Sequence, residues 1–314
     1  MPRIRNWAVV LAGGEGRRLQ SLARLISGDD RPKQFCRVFG DKSLLQDTLA
    51  RVAMNVEPRS TLCVVLRDHE VYYEPDLREF DRMHVVAQPR RCGTAAAVAY
   101  ALHRSEAIAP GPAVVGFFPA DHYYANSLTL QRTVADAYRA AARHPTRVFL
   151  IGAEANAPEV DFGWIEAGPP LTSSGRAKAP LETARAVSRF WEKPSMEDAR
   201  ELLTRGCLWN TFIVIGHRAA FGRMLARTQP TFWAQFEGLD RPEAPAQEAA
   251  LAEAIYERIE PIDLSADVLQ QAPEDLGVIP LADAGWTDLG RPARVLKLLD
   301  DINQPHPRLR RLAS

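Results

Sequence analysis

Short runs of β-branched and aliphatic residues alternate with longer stretches whose apolar positions recur every three or four residues in the first half of the chain. Trp7–Ala12, Thr61–Leu66, Met83–Ala87, Ala113–Phe118 and Arg147–Ile151 are apolar almost throughout and predict buried strands. Between them the periodicity predicts helices over Leu44–Val56, with Ser43 as N-cap, over the alanine-rich Thr94–Ile108, and over Leu128–Arg143 after Ser127. Strands alternating with helices specify an α/β fold, a mostly parallel sheet with helices on both faces. Such sheets take ligands outside the carboxyl ends of their strands, and candidate chemistry is judged by whether it falls there.

After Gly152 the pattern changes. Asp161–Ala167, Ala184–Trp191, the short Phe212–Ile215 and Gly277–Leu281 predict strands, and helices are expected near His217–Arg227, Ala246–Arg258 and Ala293–Asp301. Gly168–Pro180 reads as a Gly/Pro/Ser loop, and the Pro- and Arg-rich residues 304–314 as a flexible tail. With no internal repeat and no linker, residues 1–303 read as one domain with an inserted β segment in its second half.

Composition narrows the function classes. Lys plus Arg and Asp plus Glu number 39 each, so no overall positive field recommends a nucleic acid or an anionic membrane as partner. An anion site must be a local gathering of cations. Cys36, Cys63, Cys92 and Cys207 are scattered, without metal-ligand spacing, and fit reduced thiols. No apolar run reaches the length of a membrane span, and no secretory signal follows the basic first residues. A cytoplasmic location is expected, and self-association is left open.

The densest candidate chemistry is Leu11-Ala12-Gly13-Gly14-Glu15-Gly16-Arg17-Arg18-Leu19, directly after the first strand. Gly13, Gly14 and Gly16 allow backbone amides to approach a phosphate closely, and Arg17 and Arg18 add cations. Leu19 stands where a dinucleotide fingerprint needs a third glycine, and no Gly-Lys-Ser/Thr of a Walker loop follows. Pro32-Lys33-Gln34-Phe35 offers a second cationic arm. Asp121 ends the apolar run Val114–Phe118, and Asp288 lies between apolar Trp286 and Leu289. A carboxylate in such a place is a cation ligand or, in the plainer alternative, a helix cap or turn residue. Taken as a pair, the two are read as metal ligands.

These segments resemble the signature of the nucleotide-sugar pyrophosphorylases, whose first strand runs into Leu-Ala-Gly-Gly-x-Gly-Thr/Ser-Arg-Leu. Pro32-Lys33-Gln34-Phe35 is similar to the mannose-1-phosphate guanylyltransferase branch. The likeness continues in order through Gln88-Pro89 with Gly93-Thr94-Ala95, Phe118-Pro119-Ala120-Asp121-His122, Phe190-Trp191-Glu192-Lys193-Pro194 and Gly285-Trp286-Thr287-Asp288-Leu289-Gly290. It spans residues from about 7 to 300. The resemblance implies a Rossmann-like, glycosyltransferase-A-like nucleotidyltransferase fold, with a nucleotide-binding half to about residue 152 and a sugar-binding half over about 153–303.

By the same resemblance, Leu11, Gly13, Gly14, Gly16, Arg17, Gln88, Gly93 and Thr94 bind the nucleotide, and Arg18 and Lys33 neutralise its triphosphate. Asp121 and Asp288 hold Mg²⁺, Lys193 binds the sugar phosphate, and Gly163, Glu192, Asn210 and Thr211 line the sugar site. The implied reaction joins a sugar 1-phosphate to a nucleoside triphosphate by in-line attack on the α-phosphorus, releasing pyrophosphate. The phosphate nucleophile is already ionised, so positioning and charge neutralisation suffice without a general base. GTP with mannose 1-phosphate is the expected pair, and the small residues Gly93, Ala95 and Ala96 are read as leaving room for a purine. With no long segment after the last motif, a second activity is not expected.

Departures from the pattern keep alternatives open. Arg17 replaces a hydroxyl residue, Phe212 replaces a glycine after Asn210-Thr211, and Cys92, Gly93 and Ala96 alter the base-binding segment, while Asp263–Val268 is a distorted counterpart of another. Another base and sugar pair, or a non-catalytic nucleotide-sugar-binding subunit, is therefore retained beside the main reading. A glycosyltransferase would show a paired Asp-x-Asp, whereas Tyr123 follows Asp121 by two.

Overall fold

The computed structural model describes residues 4–171, 183–239, 245–304, 306, 308 and 309. Eleven strands are found there: β1 (Arg5–Leu11), β2 (Thr61–Leu66), β3 (His84–Gln88), β4 (Ala113–Pro119), β5 (Tyr123–Tyr124), β6 (Val148–Glu154), β7 (Gly163–Pro170), β8 (Arg185–Glu192), β9 (Leu208–His217), β10 (Leu276–Leu281) and β11 (Trp286–Thr287). Nine of them form one sheet in the order β3-β2-β1-β4-β9-β6-β10-β8-β7. β3, β2, β1 and β4 are parallel, as expected, and beyond β4 the sheet is mixed, because β9 runs antiparallel between β4 and β6. β7 pairs with β8 and also with β9, so the pairings β9-β6-β10-β8-β7-β9 close a circuit. β5 and β11 form a separate small ribbon.

The helices are α1 (Gln20–Ser27), α2 (Leu44–Ala53), α3 (Glu70–Leu77), α4 (Gly93–Ile108), α5 (Ser127–Arg143), α6 (Met196–Thr204), α7 (Arg218–Thr228), α8 (Pro230–Ala234), α9 (Pro245–Arg258) and α10 (Pro292–Asp301). Strand alternation divides the core between the two faces of the sheet. Trp7 and Val9 of β1 join Leu102 of α4, Phe221 of α7 and Tyr256 of α9 on one face. Ala8 and Val10 join Leu45 of α2 and Tyr138 of α5 on the other. α1 and α10 meet in a smaller cluster through Leu22, Ile26, Val295 and Leu299, and α6 packs its Ala199 and Leu202 against Phe162, Trp164 and Trp209.

Local chemistry accounts for the element ends. Ser43 and Gln46 exchange side-chain to backbone hydrogen bonds, a capping box that starts α2 where the sequence places it. α5 is capped one residue earlier than expected, since Asn126 Oδ1, not Ser127, accepts from the Thr129 amide at 3.1 Å. Gly168, Pro169 and Pro170 belong to β7 and not to a loop, and the rest of that expected loop up to residue 180 falls largely outside the described residues. The expected short strand Phe212–Ile215 lies within the ten-residue β9. Phe212 has a left-handed φ of 61°, next to a register shift against β6 at Leu150/Gly152, and this irregularity breaks the apolar alternation. Of the C-terminal segment, Arg308 donates to the Ile26 carbonyl and Leu309 is buried with α1, while residues 305, 307 and 310–314 lie outside the description.

Candidate active site

The glycine loop leaves β1 at its carboxyl end, between β2 and β4. Ala12 donates to Val64 O at 2.7 Å, and Ala120 donates to Leu11 O at 3.2 Å, which ties the loop to both neighbours. Gly16 takes φ 63°, and a Cβ there would lie 2.9 Å from the Lys33 amide, so the tight approach of the second cationic arm requires glycine. Gly14 has open space where a side chain would stand. Gln34, which the motif contains but the sequence reading gave no role, is buried and donates from Nε2 to Ala12 O (2.8 Å) and Gly14 O (2.7 Å). It fixes the loop from below; the signal was a polar residue between Lys33 and Phe35 that had to be satisfied inside.

Lys33 links the turns that carry the two aspartates. Its Nζ lies 3.0 Å from Asp121 Oδ2 and donates to the backbone carbonyls of Asp288 (2.7 Å) and Leu289 (3.2 Å). The ends of β4 and β11, far apart in sequence, are thereby joined by one ammonium. Burial opposes ionisation of Asp121, but the charges of Lys33 and His122 and the Lys33 hydrogen bond hold its carboxyl below the usual range. Asp288 Oδ1 accepts from the Gly290 amide at 2.8 Å and from Arg294, so it is also the turn residue of the plainer reading. His122 stacks edge-on to Trp286, whose indole N–H points at its Nδ1 (3.2 Å), and burial lowers its pKa. Arg51 braces the same turn by donating to His122 O.

Arg17 and Arg91 both pair with Glu15, and Arg17 is largely exposed. Arg18 faces Asp161 at 3.8 Å. Asp161, unassigned by the sequence reading, also meets Arg291 and Arg294. The Arg291 hydrogen bond, helped by the charges of Arg291, Arg18 and Arg294, outweighs burial and keeps its carboxyl below the ordinary value. No spacing rule brings Asp161 and α10 together, so only the fold reveals this cluster.

The expected sugar-side residues converge at the ends of β7, β8 and β9. A Cβ on Gly163 would meet Phe190 Cζ at 2.8 Å, Glu192 Oε2 at 3.0 Å and Asn210 Cβ at 3.3 Å, which places all three around one glycine. Lys193, at φ 47°, pairs through Nζ with Glu192 Oε1 at 2.8 Å. Burial works against its ammonium, yet the hydrogen bond and charge of Glu192 raise it overall, while burial raises the Glu192 carboxyl in turn. Asn210 Oδ1 accepts from the Phe212 amide at 3.0 Å.

Three expected contacts have inward partners. Thr211 is fully buried, donating to Ile151 O (2.7 Å) and accepting from Ile213 N, so its hydroxyl secures the irregularity of β9. Thr94 Oγ1 accepts from Leu264 N at 2.8 Å, at the head of a π turn over Leu264–Leu269 capped by Asp263; this turn is the distorted segment noted in the sequence. Gln88 accepts from Tyr256 OH at 2.9 Å and packs its Nε2 under Gly13. Ala95 and Ala96 are fully buried, and Gly93 is pressed against Ile262, so these small residues serve close packing and do not open a slot.

Among the described residues, no three His, Cys, Asp or Glu side chains gather as a metal cluster, and no helix is long and apolar enough to cross a membrane. The model of the nucleotidyl transferase family matches residues 7–304. The mannose-1-phosphate guanylyltransferase of Klebsiella pneumoniae is 30% identical over 227 residues, 71% of this chain and 45% of that protein. The xanthan biosynthesis protein XanB of Xanthomonas campestris is 27% identical over 306 residues, 94% of this chain and 60% of that protein. The chain thus spans about half the length of the curated relatives it matches. A solved structure described as mannose-1-phosphate geranyltransferase from Thermus thermophilus superposes with TM-score 0.78 at 27% identity, covering 97% of this chain and 81% of that one. A UDP-glucose pyrophosphorylase complexed with UDP-glucose, 14% identical with TM-score 0.55, shares the fold.

Proposed function

Because this chain belongs to the nucleotidyl transferase family, we propose that it joins a sugar 1-phosphate to a nucleoside triphosphate, forming a nucleotide-sugar and pyrophosphate. The observation that carries the reading is the meeting of Lys33 with Asp121 and the Asp288 turn beside the glycine loop, with Gly163, Glu192, Lys193 and Asn210 gathered on β7–β9. One group of residues suits a polyphosphate, the other a phosphorylated sugar.

In this mechanism the amides of Gly13, Gly14 and Gly16 receive the triphosphate, held in shape by Gln34, and Arg18 and Lys33 offset its charge. Lys193 draws the sugar phosphate toward the α-phosphorus, and Glu192 and Asn210 orient the sugar hydroxyls. Asp121 and Asp288 would hold Mg²⁺. The fit rests on the donor set, because Mg²⁺ is ordinarily held by one or two carboxylates together with substrate phosphates, and Lys33 ties the Asp121 carboxylate to the backbone turn that carries Asp288. The ion would neutralise charge on the phosphates between them. Transfer is in line, and no side-chain nucleophile takes part.

GTP and mannose 1-phosphate are the proposed substrates, supported by relatives named mannose-1-phosphate guanylyltransferase. The test is pyrophosphate release by purified protein with GTP, ATP, UTP and dTTP, each crossed with mannose 1-phosphate and glucose 1-phosphate. The expected result is the highest kcat/KM for GTP with mannose 1-phosphate. A preference for UTP or dTTP overturns the substrate pair, and no release in any combination overturns the reaction.

A further inference from the structure

The outer rim of the cleft holds more cations than this reading uses. Arg18 leaves the glycine loop, and Arg291 and Arg294 stand at the start of α10, yet all three point at the single carboxylate of Asp161. Arg18 and Arg291 expose 62% and 55% of their side chains, against 16% for Asp161. The cations are therefore reachable from solvent while the anion that collects them is recessed. Arg294 is the anchor of the group. It is mostly buried, lies over the Phe162 ring at 4.6 Å, and reaches Glu159 (3.0 Å) and Asp288. The cluster also adjoins both substrate groups: Arg294 contacts the Asp288 carboxylate, and the charge of Arg18 is felt at Lys193.

We propose that Arg18, Arg291 and Arg294 form a phosphate-receiving site whose occupant in this structure is the Asp161 carboxylate. A phosphate carries more charge and more acceptor oxygens than a carboxylate, and guanidinium forks match it bidentately. The Arg18 contact to Asp161 is long, at 3.8 Å, and its guanidinium is largely exposed, so that pairing is weak and is readily exchanged for one to a phosphate. The site would take a phosphate either from the pyrophosphate end of the triphosphate or from the sugar 1-phosphate. The inference rests on the proposed reaction, and it adds Arg291 and Arg294 to the phosphate ligands with Asp161 as their internal competitor.

Calorimetric titration with inorganic pyrophosphate and, separately, mannose 1-phosphate tests it on wild type, Arg291→Gln and Asp161→Asn, with thermal unfolding run on each. Arg291→Gln should weaken the phosphate ligand of this site about tenfold, as expected for loss of one charge-assisted contact. Asp161→Asn should tighten the same ligand several-fold. Opposite signs distinguish a competitor from a structural latch, whose loss would weaken binding in both variants. Weakening confined to pyrophosphate assigns the site to the triphosphate, and weakening confined to mannose 1-phosphate assigns it to the sugar phosphate. Wild-type binding with Arg291→Gln unchanged for both ligands, or Asp161→Asn weakened, overturns the inference alone. Wild type that binds neither ligand overturns the reaction reading as well.

Discussion

At Gly163 the backbone is pressed against Phe190, Glu192 and Asn210, and the Phe190 ring is too buried to withdraw. Gly163→Ala should destabilise the protein by about 1–3 kcal/mol through overpacking. It should also raise KM for the sugar 1-phosphate more than for the nucleotide, which initial-rate kinetics would show. Gln34→Ala leaves the carbonyls of Ala12 and Gly14 without the amide that satisfies them. The expected cost is about 1–3 kcal/mol in a denaturant titration, with a raised KM for the nucleotide and an unchanged one for the sugar phosphate. At this scale the need for glycine was readable at Gly16, whose left-handed φ and close approach to the Lys33 amide admit few other residues. Inward partners were not readable: the hydroxyls of Thr94 and Thr211 bind Leu264 N and Ile151 O. A hydroxyl's partner is set by the fold around it and not by its neighbours in sequence.

Elements whose starts depend on local chemistry follow from sequence, and α2 is the clearest case. Its capping box is written in Ser43 and Gln46, three residues apart, and Ser43→Ala should lower stability by about 1 kcal/mol with little change in turnover. Thermal unfolding beside an activity assay would check both halves of that expectation. The parallel strands β1, β2 and β4 were equally legible, because residues covered on both faces leave continuous apolar runs. β9 was seen only in part. Its left-handed Phe212 and its change of partner from β4 to β7 are imposed by strands distant in the chain. α1, α3 and α6 had no counterpart in the reading, and all three are short, eight or nine residues each.

Across the whole molecule, zero net charge coexists with a cleft in which cations are matched by carboxylates: Arg17 with Glu15, Arg18 with Asp161, Lys33 with Asp121, Lys193 with Glu192. The depressed pKa of Asp161 sets a direction for acid stability. Its contribution is present above the ordinary carboxylate pKa of about 4 and is lost as pH falls through the lower folded value. Thermal midpoints of wild type and Asp161→Asn should thus differ at pH 6 and converge toward pH 3. The closed circuit of strands has a consequence for how the protein is made. β10 lies between β6 and β8, so both keep an open edge until Leu276–Leu281 has left the ribosome. At translation rates of about 5–20 residues per second, the interval after Glu154 emerges is roughly 6–25 s. Through that time the half of the molecule bearing Gly163, Glu192 and Asn210 is a chaperone's concern, completed by a strand that supplies none of those three.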